Sequence, residues 1–428
     1  MTECTEVKGA TGCSNPRGRD HLPGSRVAQS SIPVMTVTTA IDLDITDGCN
    51  LACGYCFKNL DHPNNMTIET AKDSIEWLIR ASGSAKNIYV NFMGGEPTLR
   101  FLDLKKIVQF GKRRAHAVGK TAHFSFTSNM TLWNEEIRDW VDREGIGVLM
   151  SIDGHPDIQE LQRPSKNKKP MSETIAYWAK SMLKTRPQAS ARMTISPVGV
   201  DRLFDSCIYL WESLGFKAVM MADAAYDGWT ESHFATYSSE LDRIVDYLTD
   251  DFRNNGERHV VIMAYYIHNL LMPRRSGGTI RRRNSPCGAG HNYTMIDHKG
   301  TIWPCHRFDG AAEDANLVEE MKMGNIYEGR FNEQLSNAFR NFDHSILYKP
   351  ECKTCPVEPI CGGFCPAANL QHAAMESRSI YKPHFTYCQL KWILYAKTKV
   401  LYDRLVAVDL ERCHAMFQRL SPTDTGEK

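Results

Sequence analysis

The stretch TTAIDLDITDGCNLACGYCF, residues 38–57, runs an alternating, strand-like pattern straight into a loop holding three cysteines. Apolar residues every second position predict a strand over 38–46. Cys49, Cys53 and Cys56 follow it at C-x3-C-x2-C spacing. Working outward, the same rhythm repeats. Further strands are expected over 87–93, 123–128, 147–152, 191–196 and 217–222. Between them lie helical patterns over 67–81, 102–117, 134–144, 172–185 and 201–214, with Thr67 placed as an N-cap. Parallel neighbours need crossover connections, so six strands alternating with helices imply βα units. The short loops favour a closed or partly closed barrel, an α/β partial (β/α)6 TIM-like barrel. Chemistry in such folds gathers at the C-terminal strand ends. The cysteine loop, and Gly94-Gly95-Glu96-Pro97 after the second strand, both fall there.

The 428 residues suffice for a large core and for two domains. Lys and Arg number 51 against 50 acidic residues, a balance with no general pull toward nucleic acid or anionic membrane. No apolar run reaches the length of a membrane span, and the first 20 residues hold no signal-peptide core. The expected location is the cytoplasm, where thiols stay reduced. Fourteen cysteines there point to metal or redox chemistry rather than disulfides. Cys4, Cys13, Cys207 and Cys413 stand alone and read as buried small side chains or surface thiols. Cys287, Cys305, Cys352, Cys355, Cys361, Cys365 and Cys388 form a second group in a segment with little regular pattern.

The expected organisation is an arm over 1–35, a barrel over 36–258 and a linker over 259–286. A cysteine-rich domain over 287–390 follows, then a C-terminal helix and tail over 391–428. The pattern over 233–254 reads as a long helix, and 389–410 as a single amphipathic helix. The linker carries Arg274, Arg275, Arg281, Arg282 and Arg283, which read as solvated charge or as a greeting for an acidic partner.

Three thiolates from one loop suit an iron–sulfur cluster or zinc, but a closed zinc site wants four ligands. His62 is the nearest fourth donor in sequence. The loop, with Tyr55 before its last cysteine, resembles the signature of radical S-adenosylmethionine (radical SAM) enzymes. That resemblance implies that Cys49, Cys53 and Cys56 bind three irons of a 4Fe–4S cluster, the fourth being chelated by S-adenosylmethionine. It also implies that Gly94, Gly95, Glu96 and Pro97 hold the methionyl amine. Phe126-Thr-Ser-Asn-Met130 resembles a Thr-Asn-Gly motif with Met130 in the glycine's place, so only Asn129 is carried over as cofactor-binding. Ser151-Ile-Asp-Gly154 matches a segment whose serine contacts the cofactor. Arg192 either faces the cofactor or pairs with a carboxylate. Asp153 and Arg163 fit a structural and a functional role equally.

The second cysteine group resembles the SPASM extension of radical enzymes that modify peptides. It implies two auxiliary 4Fe–4S clusters, making three in all. Cys352, Cys355, Cys361 and Cys388 would hold the outer cluster, and Cys287, Cys305 and Cys365 the inner one. The latter set leaves an open iron for a substrate thiolate, or a place for His291 or His306. Where sulfatase-maturing members have an aspartate base after the second cysteine, this chain has His306, the catalytic candidate. The implied function is radical maturation of a ribosomally made peptide, forming a C–C, thioether or ether cross-link. Implied partners are the precursor peptide, a separate leader-binding protein and a flavodoxin or ferredoxin as electron donor. The first 35 residues are too short and polar for a leader-binding domain. The alternatives are formylglycine formation on a sulfatase and, from another class, a zinc- or cluster-binding interaction protein.

Overall fold

The structure is a computed structural model. It describes residues 37–58, 63–224, 228–272, 287–308, 319–328, 330–340, 352, 354–361, 365–372 and 383–420. The expected arm, His62 and the linker arginines lie outside these residues.

Six βα units build the N-terminal part. The strands are β1 (Ala40–Thr46), β2 (Asn87–Gly94), β3 (Thr121–Ser128), β4 (Gly147–Ser151), β5 (Ser190–Ile195) and β6 (Ala218–Asp223). Between and after them come α1 (Ile68–Ala81), α2 (Phe101–Ala117), α3 (Glu135–Glu144), α4 (Pro156–Gln162), α5 (Ser172–Thr185), α6 (Leu203–Ile208) and α7 (Glu231–Arg253). Neighbouring strands pair in parallel and in sequence order, β1 to β6, with no reversal. Right-handed crossovers with unreversed order place the helices on one side of the sheet, as a partial barrel requires. Ile41, Leu43 and Ile45 of β1, with Ile88, Val90 and Phe92 of β2, are buried with Ile75 and Leu78 of α1 and Ile107 of α2. Each such side chain contributes about 1.5–3 kcal/mol of burial. The alternate positions Asp42, Asp44, Asn91 and Ser125 face the opposite, interior side. Thr67 caps α1 as expected, its side chain accepting from Thr70 N at 3.0 Å.

Four differences from the sequence expectation bear on the site. A short helix, α4, follows β4 where no helix was expected, its first turn opened by Pro156. Residues 259–271, expected as the start of a linker, are ordered instead. They form β7 (His259–Val260), parallel to β6, and α8 (Val261–Tyr266), which buries Met263, Ala264 and Tyr266. The barrel sheet runs on into the cysteine-rich segment, since β8 (Tyr293–Ile296) pairs in parallel with β1 and β9 (Thr301–Trp303) folds back on β8. With β10 (Gly324–Asn325) and β11 (Arg330–Phe331) they complete one 11-stranded sheet among the described residues. The cysteine-rich segment also contains the helices α9 (Glu333–Arg340), α10 (Glu358–Cys361) and α11 (Pro366–His372).

The last difference is at the C-terminus. The expected single helix over 389–410 is two, α12 (Phe385–Val408) and α13 (Leu410–Leu420). Asp409 between them is extended, and its carboxylate accepts from Arg412 N at 3.0 Å, ending one helix and capping the next. Helix α12 lies along α7, burying Leu394, Leu401 and Leu405, with Lys397–Asp242 (2.6 Å) and Arg404–Asp246 (2.5 Å) ion pairs beside the seam.

Candidate active site

The cysteine loop leaves the end of β1 and is held on three sides. Leu51 and Ser165 form an antiparallel bridge. Around it Ala52 N donates to Pro164 O (2.8 Å), Gly54 N to Gln162 O (3.1 Å) and Lys166 N to Asn50 O (3.0 Å). The segment following α4 therefore docks on the loop through its backbone. Lys58, closing the loop, is almost fully buried and pairs with Asp44 and Asp47 at the end of β1. Tyr55 donates its hydroxyl to Asp153 Oδ2 at 2.5 Å. Asp153, buried after β4, also receives Arg163 at 2.9 and 3.0 Å and Thr194 N at 2.8 Å. Burial alone would lower the Arg163 pKa, but Asp153, with Tyr55 and Cys53, more than offsets it and the guanidinium stays charged.

Gly94 and Gly95 stand where no side chain fits. A Cβ on Gly94 would meet Thr46 O at 2.1 Å, and one on Gly95 would meet Gly48 O at 2.1 Å. The turn after β2 thus lies against the start of the cysteine loop, with Gly94 at φ +127°. The Glu96 carboxylate is buried within the protein. It accepts from Thr98 N (3.1 Å), Thr98 Oγ1 (2.6 Å), Ser128 Oγ (3.0 Å) and Asn129 N (2.7 Å). Its work is to tie the second motif to the end of β3. Asn129 passes the link on, donating to Asn50 Oδ1 at 3.0 Å, with Cys49 Sγ at 3.9 Å. Met130 keeps a left-handed backbone at φ +64° with its side chain fully buried. The glycine-like conformation survives the substitution, and the methionine side chain fills core.

Ser151 and Arg192 are direct register partners at the ends of β4 and β5. Neither side chain has a hydrogen-bond partner among the described residues. Burial first, then Arg307 and Arg163, pull the Arg192 pKa down to about 10.

In the cysteine-rich segment, burial raises the Cys287 and Cys305 pKa values, and the neighbouring Cys365 lies close enough to add to both. Cys305 packs in a small core with Trp303, Phe308, Phe339 and Leu370. Cys352 and Cys355 share a turn, with Cys355 N donating to Cys352 O at 3.2 Å. Cys361 ends α10 and Cys388 lies in the first turn of α12. His291 meets its neighbour Asn292, whose N donates to His291 Nδ1 at 2.6 Å.

His306 sits at the junction of the two parts. Its Nδ1 lies 2.6 Å from Asp42 Oδ2 and 2.8 Å from the Tyr293 hydroxyl, which also contacts Asp42. Asn91 Nδ2 donates to Asp42 Oδ1 at 2.8 Å, and Ser125 Oγ to Asn91 Oδ1 at 3.0 Å. Burial, then Asp42, pushes the Tyr293 phenol pKa up, so it remains a donor. Phe57, beside Cys56, has its ring 5.7 Å from His306 and 5.5 Å from the Arg307 guanidinium. Asp42, Asn91 and Tyr293 were not singled out in the sequence. The signal was available in β1, whose interior-facing positions are Asp42, Asp44 and Thr46 where an apolar filling is usual.

Comparison with known proteins settles the family. The Radical SAM superfamily profile matches residues 43–199, and the SPASM profile, described as an iron-sulfur cluster-binding domain, matches 287–356. The chain belongs to the radical SAM enzymes that carry a SPASM extension. An uncharacterized Methanocaldococcus jannaschii protein, MJ0907, is 35% identical over 128 residues, 30% of this chain and 43% of that protein's length. The cysteine-type anaerobic sulfatase-maturating enzyme of Clostridium novyi is 26% identical over 75% of this chain and 85% of its own. The PqqA peptide cyclase of Bradyrhizobium diazoefficiens is 22% identical over 79% and 83%. Among solved structures, anSMEcpe with bound AdoMet superimposes with a TM-score of 0.69 at 18% identity, over 90% of this chain and 99% of that one.

A radical SAM enzyme of this kind uses S-adenosylmethionine and 4Fe–4S clusters, and the donor set fits both. Burial pushes the Cys53 thiol up to about 12 and raises that of Cys49, so thiolates there need a cationic partner of the sort a cluster supplies. The Cys49 sulfur already accepts from Leu51 N at 3.4 Å. Among the described residues, no helix is long and apolar enough to cross a membrane.

Proposed function

We propose that this radical SAM enzyme is a peptide maturase that closes an intramolecular C–C, thioether or ether cross-link in a ribosomally made peptide. Cys49, Cys53 and Cys56 would hold the cofactor-binding cluster. Gly94, Gly95, Glu96, Pro97, Asn129, Ser151 and Arg192 would shape the S-adenosylmethionine pocket. The Ser151 hydroxyl and Arg192 guanidinium, without hydrogen-bond partners among the described residues, suit a carboxylate; Glu96 would act by fixing the backbone around it. Cys287, Cys305 and Cys365 would bind the inner auxiliary cluster, and Cys352, Cys355, Cys361 and Cys388 the outer one. When bound, the cluster and S-adenosylmethionine supply a 5′-deoxyadenosyl radical that removes a hydrogen atom from the peptide.

The observation that carries this reading is the Asp42–His306 contact. It joins the polar barrel interior to the auxiliary cysteine loop, where a peptide side chain would need both. Closing the cross-link would remove two hydrogens, one as an atom to the 5′-deoxyadenosyl radical and one as a proton, and a cluster held by Cys287, Cys305 and Cys365 would supply the acceptor for the remaining electron. His306, oriented by Asp42 and Tyr293, is the group placed to take that proton. Partners on this reading are the precursor peptide, a separate leader-binding protein and a one-electron donor.

A second reading, formylglycine formation, is favoured by the resemblance to the Clostridium novyi enzyme. Reconstituted, reduced protein incubated with S-adenosylmethionine and peptide tests both. A cyclic product two hydrogens lighter supports the cross-link, and an aldehyde supports formylglycine. Failure to release 5′-deoxyadenosine overturns both.

A further inference from the structure

The turn over residues 165–169 is the outer rim of the cysteine loop, and its chemistry is unused by the reading above. Lys166, Lys168 and Lys169 are all exposed, and none has an ion-pair partner among the described residues. The turn is built rather than loose. Ser165 is bridged to Leu51, and Lys168 N donates to Ser165 O at 2.9 Å. Asn167 Oδ1 accepts from the Ser165 hydroxyl and from Lys169 N, the latter at 3.1 Å. Lys168 adopts φ +59°, a left-handed conformation uncommon for a side-chain-bearing residue. On the same segment, Glu160 is committed to the amides of Met171 (2.6 Å) and Ser172 (2.7 Å). Leu161, four residues before Ser165, is 57% exposed.

An ordered basic rim with an exposed leucine close in sequence, on a chain whose net charge is only +1, is a local feature and not a general surplus of charge. It lies against the loop that carries Cys49, Cys53 and Cys56, with Cys56 exposed. Small polar-rimmed patches with opposed charge suit brief encounters in which steering matters more than affinity.

We propose that Lys166, Lys168 and Lys169, with Leu161, form the docking surface for an acidic one-electron carrier protein that reduces the cluster at Cys49, Cys53 and Cys56. This rests on the cluster assignment made under Proposed function. The carrier gives up one electron, is oxidised by one unit, and returns to solution; no bond is made or broken at the contact.

The test uses reconstituted full-length enzyme and an acidic flavodoxin. Binding of the oxidised carrier is measured by calorimetry at low and high salt, for wild type and for Lys168→Glu/Lys169→Glu, which leaves Lys166, the residue tied to Asn50 of the cysteine loop, unchanged. The charge reversals are expected to weaken binding about tenfold or more at low salt and to remove most of its salt dependence. The flavodoxin-driven rate of 5′-deoxyadenosine release should fall in parallel, while the dithionite-driven rate stays at the wild-type level. Loss of the dithionite-driven rate in wild type would sink the cluster assignment itself. Unchanged flavodoxin binding in the variant overturns the docking surface alone. So does a variant whose only defect is a raised KM for peptide under dithionite, since the lysines would then serve substrate. Lys168→Gly, which relieves the left-handed backbone, serves as the folding control.

Discussion

Asp42 in β1 and His306 beside Cys305 are 264 positions apart in the chain, yet their side chains meet at 2.6 Å. The contact exists because β8 pairs in parallel with β1, carrying Tyr293 to the same junction. Asp42 thereby fixes the imidazole from the barrel side while Tyr293 fixes it from the auxiliary side. Replacing Asp42 with Asn should leave 5′-deoxyadenosine release largely intact. Peptide product should fall about 100-fold, the scale of a positioned acid–base group. His306→Gln should behave alike. Liquid chromatography of 5′-deoxyadenosine and product from one reaction checks the ratio, and equal loss of both would refute the assignment.

Changing Cys49, Cys53 and Cys56 together to Ala should abolish 5′-deoxyadenosine formation. Iron should drop from about twelve to about eight per chain, as expected when one of three 4Fe–4S clusters is lost. Iron and sulfide analysis of anaerobically purified protein reads this directly. Zinc in place of iron in the wild type would favour the interaction-protein reading instead.

The Asp153–Arg163 pair is buried and also holds Tyr55 of the cysteine loop. Arg163→Met leaves the Asp153 carboxylate buried without its charge partner, which should cost about 3–5 kcal/mol. Denaturant unfolding of the apoprotein checks the magnitude. Tyr55→Phe removes a single hydrogen bond and should cost about 1–2 kcal/mol. A smaller effect from Arg163→Met than from Tyr55→Phe would contradict the pairing.

His259, at the edge strand β7, has its pKa lowered by burial, with Nδ1 3.0 Å from Glu257 O. The unfolded chain therefore binds a proton more readily than the folded one. The stability that His259 contributes is present above about pH 6.5 and is lost as pH falls from there toward the depressed folded value. Thermal unfolding between pH 7.5 and 5.5 should show a shallower decline in His259→Gln than in wild type. The difference cannot exceed about 1.4 kcal/mol per pH unit. Identical slopes would show that burial at this site does not govern its titration.

The periodicity of the first 222 residues and the spacing of the cysteines were enough to read the barrel strands, their parallel order and the family. These are local properties: alternation every two residues, helical faces, and thiol spacing along a loop. What the sequence left ambiguous, or gave wrongly, depends on groups distant in the chain. The α4 helix is too short to show periodicity, and the α12–α13 break turns on a single capping aspartate. Residues 259–271 read as linker because their burial comes from β6, α12 and α13, which no local pattern reveals. Spacing along the chain could place Glu96 in its motif but not show its surroundings, since two of its hydrogen-bond donors, Ser128 and Asn129, lie more than 30 positions away. That Asp153 and Arg163 pair in the interior and hold Tyr55 of the cysteine loop is likewise visible only in the structure. By itself, the sequence determined that three thiols would share one loop at the end of β1. Only the tertiary structure decided what surrounds that loop, because the parallel pairing of β8 with β1 brings the auxiliary residues to the barrel interior across more than half the chain.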